Sequence, residues 1–290
     1  MKDPTGTTRT RPSDGYYDPR SASSNLHIGL PTYLNSSTKQ QCALIKHWLR
    51  LCDSGKCGHD SGCAPKPMTT SNDKPARFIH VGWDQDSMRT DGIVHLVSTA
   101  TLNETADYIA LSHCWGSLSN GPPPWCTTIS NITERMTKGI RVASLPVNFS
   151  DAIRVTRLLG KQYLWIDSLC ILQGDKVDWM NEGKKMASVF KNAYCTIAAT
   201  SAQNSQKGFL KRSREVPLYA LVPSSSHGAV FVSTAIDDFE KDVGRGVLNS
   251  RAWVLQERVL ARRTIHFTKR QMYFECGGGI QCETLTYMQK

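Results

Sequence analysis

The feature that most constrains this chain is an alternation of apolar, strand-like runs with amphipathic helical runs between Tyr108 and Cys276. With residues 202–248 left out, the order is strand, helix, strand, helix, strand, helix, strand. Strands that alternate with helices usually pair in parallel through right-handed crossovers. The pattern predicts an α/β fold, in which a mostly parallel, doubly wound sheet carries helices on both faces.

Local sequence features indicate where each predicted helix and strand begins and ends. LPVNFSDAIRVTRLLG predicts a helix that Gly160 ends. DWMNEGKKMASVFKNA predicts one helix capped by Asp178, with a shared face that includes Trp179 and Phe190. SRAWVLQERVLARR predicts a helix opened by Ser250, and residues 117–144 predict a long irregular loop. The strand-like runs are YIALSHCWG, YLWIDSLCI (ending near Asp167), YCTIAATS and TIHFTKRQMYFEC.

The regions outside this pattern are an N-terminal extension and an insertion. Residues 1–37 are rich in Ser, Thr, Pro, Gly and Asp and predict a disordered leader. The expected domain spans 38–290, with its core at about 108–276. Its other predicted parts are a helix at 40–52, a Gly/Lys/Pro-rich connector at 53–75, strands at 77–83 and 93–98, and an insertion near 202–248 with short strands LYALVP and AVFVST.

The composition of the chain indicates which kinds of partner it can bind and in which cellular compartment we expect it. The net charge is +10, but the basic residues are scattered and no nucleic-acid-binding motif is present, so we expect no nucleic-acid partner. No secretory signal and no apolar run of membrane-spanning length is found. We therefore expect a cytoplasmic chain without a membrane span, in which the ten cysteines are reduced thiols.

In a doubly wound sheet, ligands bind at the carboxyl ends of the strands. Glycine there permits a close backbone approach and tryptophan offers a stacking face, so Ser112, His113, Trp115 and Gly116 are nucleotide-binding candidates. The alternative is a tight turn with a core tryptophan. Asp167 either binds a ribose hydroxyl or caps a turn.

Glu257 is the leading catalytic candidate. It follows Trp253 by four residues and precedes Leu260 by three, so its carboxylate lies within an apolar stripe of the helix. A buried carboxylate near a strand-end crevice is a candidate catalytic group. The alternative is a structural pairing with Arg251 or Arg258. Those two arginines either hold phosphates or are solvated helix charges.

Two rival arrangements are weaker. Glu182 is expected in the first turns of its helix, where the helix dipole by itself favours a negative charge. Cys170 and His113 resemble a Cys/His nucleophile pair, although Cys170 lies between Leu169 and Ile171, as a buried structural thiol would.

The cysteine-rich connector suggests zinc. Cys52, Cys57, His59 and Cys63 offer four N/S ligands in a compact C-x4-C-x-H-x3-C spacing. No second paired knuckle frames a finger, and Cys52 fits the apolar face of the preceding helix. We therefore expect no bound metal and no resident cofactor.

Three blocks together resemble the fungal heterokaryon incompatibility (HET) family: YIALSHCWG at 108–116, the long run at 145–201, and SRAWVLQERVLARRTIHFTKRQMYFEC at 250–276. The WLRLC helix followed by His59 and Cys63 resembles the usual lead-in of that family. Two departures are His113, where the family often has Tyr, and the Cys/Gly-rich connector. The resemblance implies a role in cell death after fusion of genetically unlike hyphae, triggered through an unknown partner protein.

A second resemblance is to TIR domains, flavodoxin-like modules of which some cleave NAD. ALSHCWG is similar to their first strand and its loop, and AWVLQERVL is similar to the helix on which TIR enzymes carry a tryptophan and a catalytic glutamate. These positions are Trp253 and Glu257 here. The resemblance implies a TIR-like sheet, NAD as substrate and activation by self-assembly. The competing function is a non-catalytic death adaptor, which would have a filled crevice and an exposed apolar patch.

Overall fold

The chain is described by a computed structural model. It covers residues 37–55, 63, 74–82, 92–102, 106–116, 121–212, 219–224, 228–233, 238–284 and 287–288. Only the backbone is described at 219–224, 228–233, 252, 253, 255, 256, 287 and 288. The predicted leader, apart from Ser37, lies outside the described residues, and so do Cys57 and His59.

Seven α-helices and twelve strands are found in the described ranges. The helices are α1 (Thr38–Asp53), α2 (Ile132–Thr137), α3 (Val147–Leu158), α4 (Asp167–Cys170), α5 (Lys176–Gly183), α6 (Met186–Asn192) and α7 (Ala252–Leu260). The strands are β1 (Arg77–His80), β2 (Ile93–Ser98), β3 (Tyr108–Ser112), β4 (Ile140–Arg141), β5 (Tyr163–Trp165), β6 (Cys195–Ala198), β7 (Tyr219–Ser224), β8 (Gly228–Ser233), β9 (Arg263–Phe267), β10 (Met272–Cys276), β11 (Gly279–Cys282) and β12 (Tyr287–Met288).

Ten of these strands form one sheet in the order β12-β11-β10-β9-β6-β3-β5-β1-β2-β4. The four central strands, β9, β6, β3 and β5, are parallel, as the strand–helix alternation predicts. Every residue of β3 and β6 is buried, which explains why both strands are almost wholly apolar. The prediction of an α/β fold is confirmed, but the expected mostly parallel sheet is limited to these four strands, since the other strand pairs of the sheet are antiparallel.

The two flanks of the sheet are antiparallel. On one side β1 pairs with β5 and β2, and β2 pairs with β4. On the other side β10, β11 and β12 form a meander that continues from β9. The insertion supplies β7 and β8, which form a separate two-stranded sheet, as its two short apolar runs predict. Among the helices, α1 packs against α3 and α6 packs against α7.

The ends of α1 and α3 follow from local chemistry. Ser37 caps α1 in a reciprocal capping box with Gln40, and Ile45, Trp48 and Leu49 of the predicted face are buried. Gly160 follows α3 with a φ of 76°, a left-handed conformation that glycine adopts without strain. Both predicted helices are confirmed.

Two of the predicted boundaries are wrong. Residues 117–144 contain α2 and β4 as well as irregular chain. The strand expected to run to Asp167 ends at Trp165, because the Asp167 carboxylate accepts a hydrogen bond from the Ser168 amide at 2.6 Å and Asp167 begins α4.

The helix predicted for residues 178–193 is two helices. Gly183, the weakest helix former of that run, ends α5, and α6 begins at Met186. The cap is Asp175, whose carboxylate accepts from the amides of Val177 and Asp178. Trp179, predicted on the apolar face, is 55% exposed.

The start of the last helix also differs from the prediction. Ser250 belongs to a 3-10 helix, Val247–Ser250, and its hydroxyl donates to the Val247 carbonyl at 2.8 Å. Because that hydroxyl is engaged, α7 begins at Ala252 without a side-chain cap. No helix in the described part of the chain is long and apolar enough to cross a membrane.

Candidate functional site

The carboxyl end of β3 meets the middle of α7. Ser112, the last residue of β3, donates its hydroxyl hydrogen bond to Oε2 of Glu257. Both residues are buried. The serine lies on a central parallel strand and the glutamate on a helix that follows 145 residues later, so the contact depends on the tertiary fold. It joins two of the residues that the sequence singles out.

Burial controls the electrostatics of Glu257. It raises the pKa of this carboxyl from about 4.5 to about 7, and the negative charge of Asp167 adds to the increase. The hydrogen bond from Ser112 and the charge of Arg251 act in the opposite direction. The result is a buried carboxyl that exchanges its proton near neutral pH, a property typical of catalytic acids and bases.

Arg251 lies beside the turn that follows β3. Its Nη1 donates to the carbonyl oxygen of His113 at 2.6 Å. The His113 ring is buried, and burial lowers its pKa, so the imidazole is neutral at pH 7. Near this turn, Arg251 therefore carries a positive charge and His113 carries none.

Asp167 faces the same turn from the end of β5. Its Oδ2 accepts a hydrogen bond from Nε1 of Trp115 at 2.8 Å, and its Oδ1 lies 3.9 Å from Nδ1 of His113. The Asp167 side chain keeps a quarter of its surface exposed. Ser112, His113, Trp115, Asp167, Arg251 and Glu257 thus lie around the same strand ends, as predicted.

An aromatic cluster that the sequence did not reveal supports the turn. Trp115 stacks on His113 with ring centroids 6.4 Å apart, and Trp125 contacts Trp115 at 5.8 Å. Phe149 of α3 contacts His113 at 5.0 Å and Trp125 at 5.1 Å. Two features of the sequence gave a weak indication of this cluster. Phe149 lies on the apolar face of a predicted helix, and Trp125 is an isolated tryptophan after three prolines.

The backbone at Gly116 packs closely against Asn204. Its φ is 91°, and a Cβ placed there would lie 2.6 Å from Cβ of Asn204. The neighbouring Ser205 hydroxyl donates to the Trp115 carbonyl at 3.3 Å. Glycine is therefore required for the turn after β3 to lie against the loop after β6, which accounts for it structurally.

A small cleft opens between α7 and the ends of β3, β6 and β9. Its volume is about 10 Å³, room for about one water molecule, and its walls include Ser112, Ala198 and His266. Ligand pockets usually measure about 300–1,000 Å³. Within the described residues, the cleft is therefore too small for a dinucleotide and also for its nicotinamide–ribose part.

Arg258 lines this cleft but is paired. Its Nε lies 2.9 Å from Oε2 of Glu275, and Nε2 of His266 lies 3.0 Å from the same oxygen. Burial alone would raise the pKa of Glu275, but the hydrogen bonds from His266 and Arg258 hold it well below its usual range. Arg258 is thus an ion-pair partner of Glu275, a role that differs from both alternatives drawn from the sequence, a phosphate-binding cation and a solvated helix charge.

Glu182 belongs to another part of the molecule. It lies near the end of α5, and the expectation that it sits in the first turns is wrong because the cap is Asp175. Its Oε2 accepts from the Ala76 amide at 2.8 Å, and its Oε1 pairs with Lys185 at 2.9 Å. These contacts hold α5 against the chain before β1.

The remaining candidate residues are Cys170, Trp253 and the predicted zinc ligands. Burial raises the pKa of the Cys170 thiol to about 12, which disfavours the thiolate that a nucleophile needs. Trp253 lies in α7, but its side chain is outside the described part of the chain. Of the four predicted zinc candidates, Cys52 and Cys63 are described and both are buried.

Comparison with known proteins adds one finding. A family model described as heterokaryon incompatibility protein (HET) matches residues 108–257, a little more than half of the chain. The matched segment runs from the start of β3 to Glu257 and so includes both partners of the Ser112–Glu257 hydrogen bond. Searches of curated proteins and of solved structures found no match.

Proposed function

The chain belongs to the heterokaryon incompatibility (HET) family, and we propose that it is a cell-death effector of fungal non-self recognition that cleaves NAD after self-assembly. The observation that carries the proposal is the buried Glu257 carboxyl, held by Ser112 at the strand ends with a pKa of about 7. Carboxyl groups with strongly raised pKa values cluster at functional sites.

The order of the parallel strands supports a TIR-like interpretation. The four parallel strands lie side by side in the order β5-β3-β6-β9. If they are numbered by their order along the chain, this spatial order is 2-1-3-4. Flavodoxin-like sheets begin with this order, and their ligands bind at the strand ends where it reverses, between the first and third strands. Those strands are β3 and β6 here, and both line the cleft.

The proposed reaction is hydrolysis of the bond between nicotinamide and ribose. The bonding electron pair leaves with nicotinamide, which becomes a neutral amine and needs no acid. The ribose carbon becomes positively charged, water adds to it, and that water releases a proton. An ionised Glu257 stabilises the positive sugar in a buried, weakly screened setting.

Neighbouring residues have proposed supporting roles. Ser112 positions the Glu257 carboxylate through its hydrogen bond. The partly exposed Asp167 carboxylate accepts a ribose hydroxyl, Trp115 offers a ring edge, and Arg251 attracts the phosphates. NAD is the substrate in this scheme and no resident cofactor takes part.

Self-assembly follows from the size of the cleft. In a single chain the cleft has room for about one water molecule, so NAD binding requires that the strand ends open when copies assemble. We propose that a neighbouring copy of the chain supplies the remaining surface. The rate per chain then rises with protein concentration, since the complete site exists only in the assembly.

A second candidate function is a non-catalytic death adaptor. Three neighbouring apolar side chains on α5 are more than half exposed: Val177 at 69%, Trp179 at 55% and Met180 at 56%. Exposed apolar patches mark interaction surfaces. An adaptor would use this surface and would not need an ionised Glu257.

The test is release of nicotinamide from NAD, measured from dilute to concentrated full chain. We expect Glu257→Gln to lower the rate per chain by about 100-fold or more, because glutamine cannot carry the stabilising charge. Glu182→Gln is the matched control and retains the wild-type rate. In fungal cells, Glu257→Gln abolishes killing and Glu182→Gln does not.

Three results contradict the enzymatic proposal. Absence of nicotinamide release at every concentration favours the adaptor. A rate per chain that is independent of concentration contradicts the shared site. A folded Glu257→Gln variant that still cleaves NAD places the active carboxylate elsewhere.

A further inference from the structure

Three cysteines from separate parts of the chain meet in the core. Cys52 lies in the last turn of α1, Cys63 in the connector, and Cys276 at the end of β10. Their sulfur atoms all lie within 4.8 Å of one another, and all three residues are buried. Cys276 is 213 positions beyond Cys63, so the cysteine spacing in the connector could not reveal it.

The spacing of these sulfurs suits a shared metal ion. Tetrahedral zinc with bonds of about 2.3 Å holds thiolate sulfurs roughly 3.8 Å apart. A small closure of the cluster reaches that geometry. A disulfide would require two sulfurs about 2.05 Å apart and would leave the third thiol without a role; none of the three forms a disulfide here.

The surroundings also suit a negatively charged metal–thiolate cluster. Three thiolates and one divalent ion carry a net charge of −1, which needs a nearby cation when buried. Arg263 contributes such a charge: the residue is 1% exposed, and its Nε donates to the Cys63 carbonyl at 2.9 Å. It shares that charge with Asp53, whose Oδ1 lies 2.6 Å from its Nη2 and whose side chain is 41% exposed.

We propose that Cys52, Cys63 and Cys276 bind a structural zinc ion. Each thiol releases its proton to solvent on binding, and a water molecule or another donor completes the tetrahedron. Thiolate sulfur prefers zinc to magnesium or calcium. This reverses the expectation of no metal, because that expectation was drawn from the connector alone and lacked Cys276.

The ion would fasten the N-terminal extension to the C-terminal meander. The two parts already meet where Trp48 of α1 stacks on Phe274 of β10, with centroids 5.9 Å apart. A zinc ion bound by Cys52, Cys63 and Cys276 joins the end of α1, the connector and the end of β10 at one point. The site is independent of the proposed NAD chemistry.

The test is metal analysis of the full chain purified under reducing conditions without chelators. We expect about one zinc per chain, and an intense sulfur-to-cobalt charge-transfer band after exchange with Co²⁺. Cys276→Ser should lower zinc content at least tenfold. Cys282→Ser is the matched control, since Cys282 is also buried in the meander but outside the cluster, and it should keep its zinc.

Cys63→Ser provides a second variant, because Cys63 lies in the connector outside any helix or strand. It should lose zinc as Cys276→Ser does. A wild-type chain that holds no zinc and gives no thiolate band with Co²⁺ overturns the proposal. So does a disulfide between two of the three cysteines in the freshly purified protein, or an equal loss of zinc in Cys282→Ser.

Discussion

Two buried glutamates in this molecule differ in how their charge is balanced. Glu182, on α5, receives a hydrogen bond from the Ala76 amide and pairs with Lys185. Glu257, on α7, receives one from the Ser112 hydroxyl, and burial raises its pKa to about 7. Both carboxylates are less than a tenth exposed.

The difference shows that burial alone does not distinguish a functional carboxylate from a structural one. The hydrogen-bond and ion-pair partners make the difference. An amide and an ammonium group stabilise the negative charge of Glu182, whereas the single hydroxyl that contacts Glu257 leaves its buried charge costly. Glu275 makes the same point within the strand-end region, where Arg258 and His266 hold its pKa well below its usual range. Of these carboxylates, Glu257 is the one suited to proton exchange.

The largest expected effect on stability is at Glu182. Glu182→Ala leaves the Ala76 amide and the Lys185 ammonium group without their partner and should lower the free energy of unfolding by about 3 kcal/mol. Chemical denaturation at pH 7 measures it. A loss below about 0.5 kcal/mol would contradict the structural role of Glu182 and remove the contrast with Glu257.

The next effect is the pH dependence at Glu257. Because the folded-state pKa is raised from about 4.5 to about 7, the folded protein holds a proton that the unfolded chain releases between these values. Wild-type stability should therefore fall as pH rises through this window. Glu257→Gln cannot ionise, and well above pH 7 it should be more stable than the wild type by up to about 3 kcal/mol.

At pH 4 and below, wild type and Glu257→Gln should have similar stability, since the glutamate is then mostly protonated in both states. Denaturation curves from pH 4 to pH 8 provide the measurement. A variant that is less stable at pH 8 would indicate a buried ion pair with an arginine, which is the structural alternative for Glu257.

The smallest effect is at Ser112. Its hydrogen bond lowers the pKa of Glu257, so Ser112→Ala should raise that pKa and move the acidic limb of the NAD-cleavage pH profile to higher pH. The hydrogen bond contributes on the order of 1 kcal/mol. An unchanged acidic limb would show that Ser112 does not set the protonation of Glu257.

Predictions from the sequence were most accurate where the signal was local. The apolar runs of β3 and β6, the apolar face of α1 and the glycine after α3 each reflect neighbours within a few residues. Errors arose where a nearby polar group competed for the backbone. Asp167 ended β5 early, and Asp175, rather than Asp178, capped α5.

The sequence by itself determined the alternation of strands and helices, the family, and most residues around the turn after β3, because periodicity and motifs are properties of adjacent positions. Only the tertiary structure decided which side chains meet. It paired Ser112 with Glu257, Arg258 with Glu275, and Cys276 with Cys52 and Cys63. Each contact joins separate strands or helices. The spatial order of the strands in the sheet sets such contacts, and that order leaves no local signal in the chain.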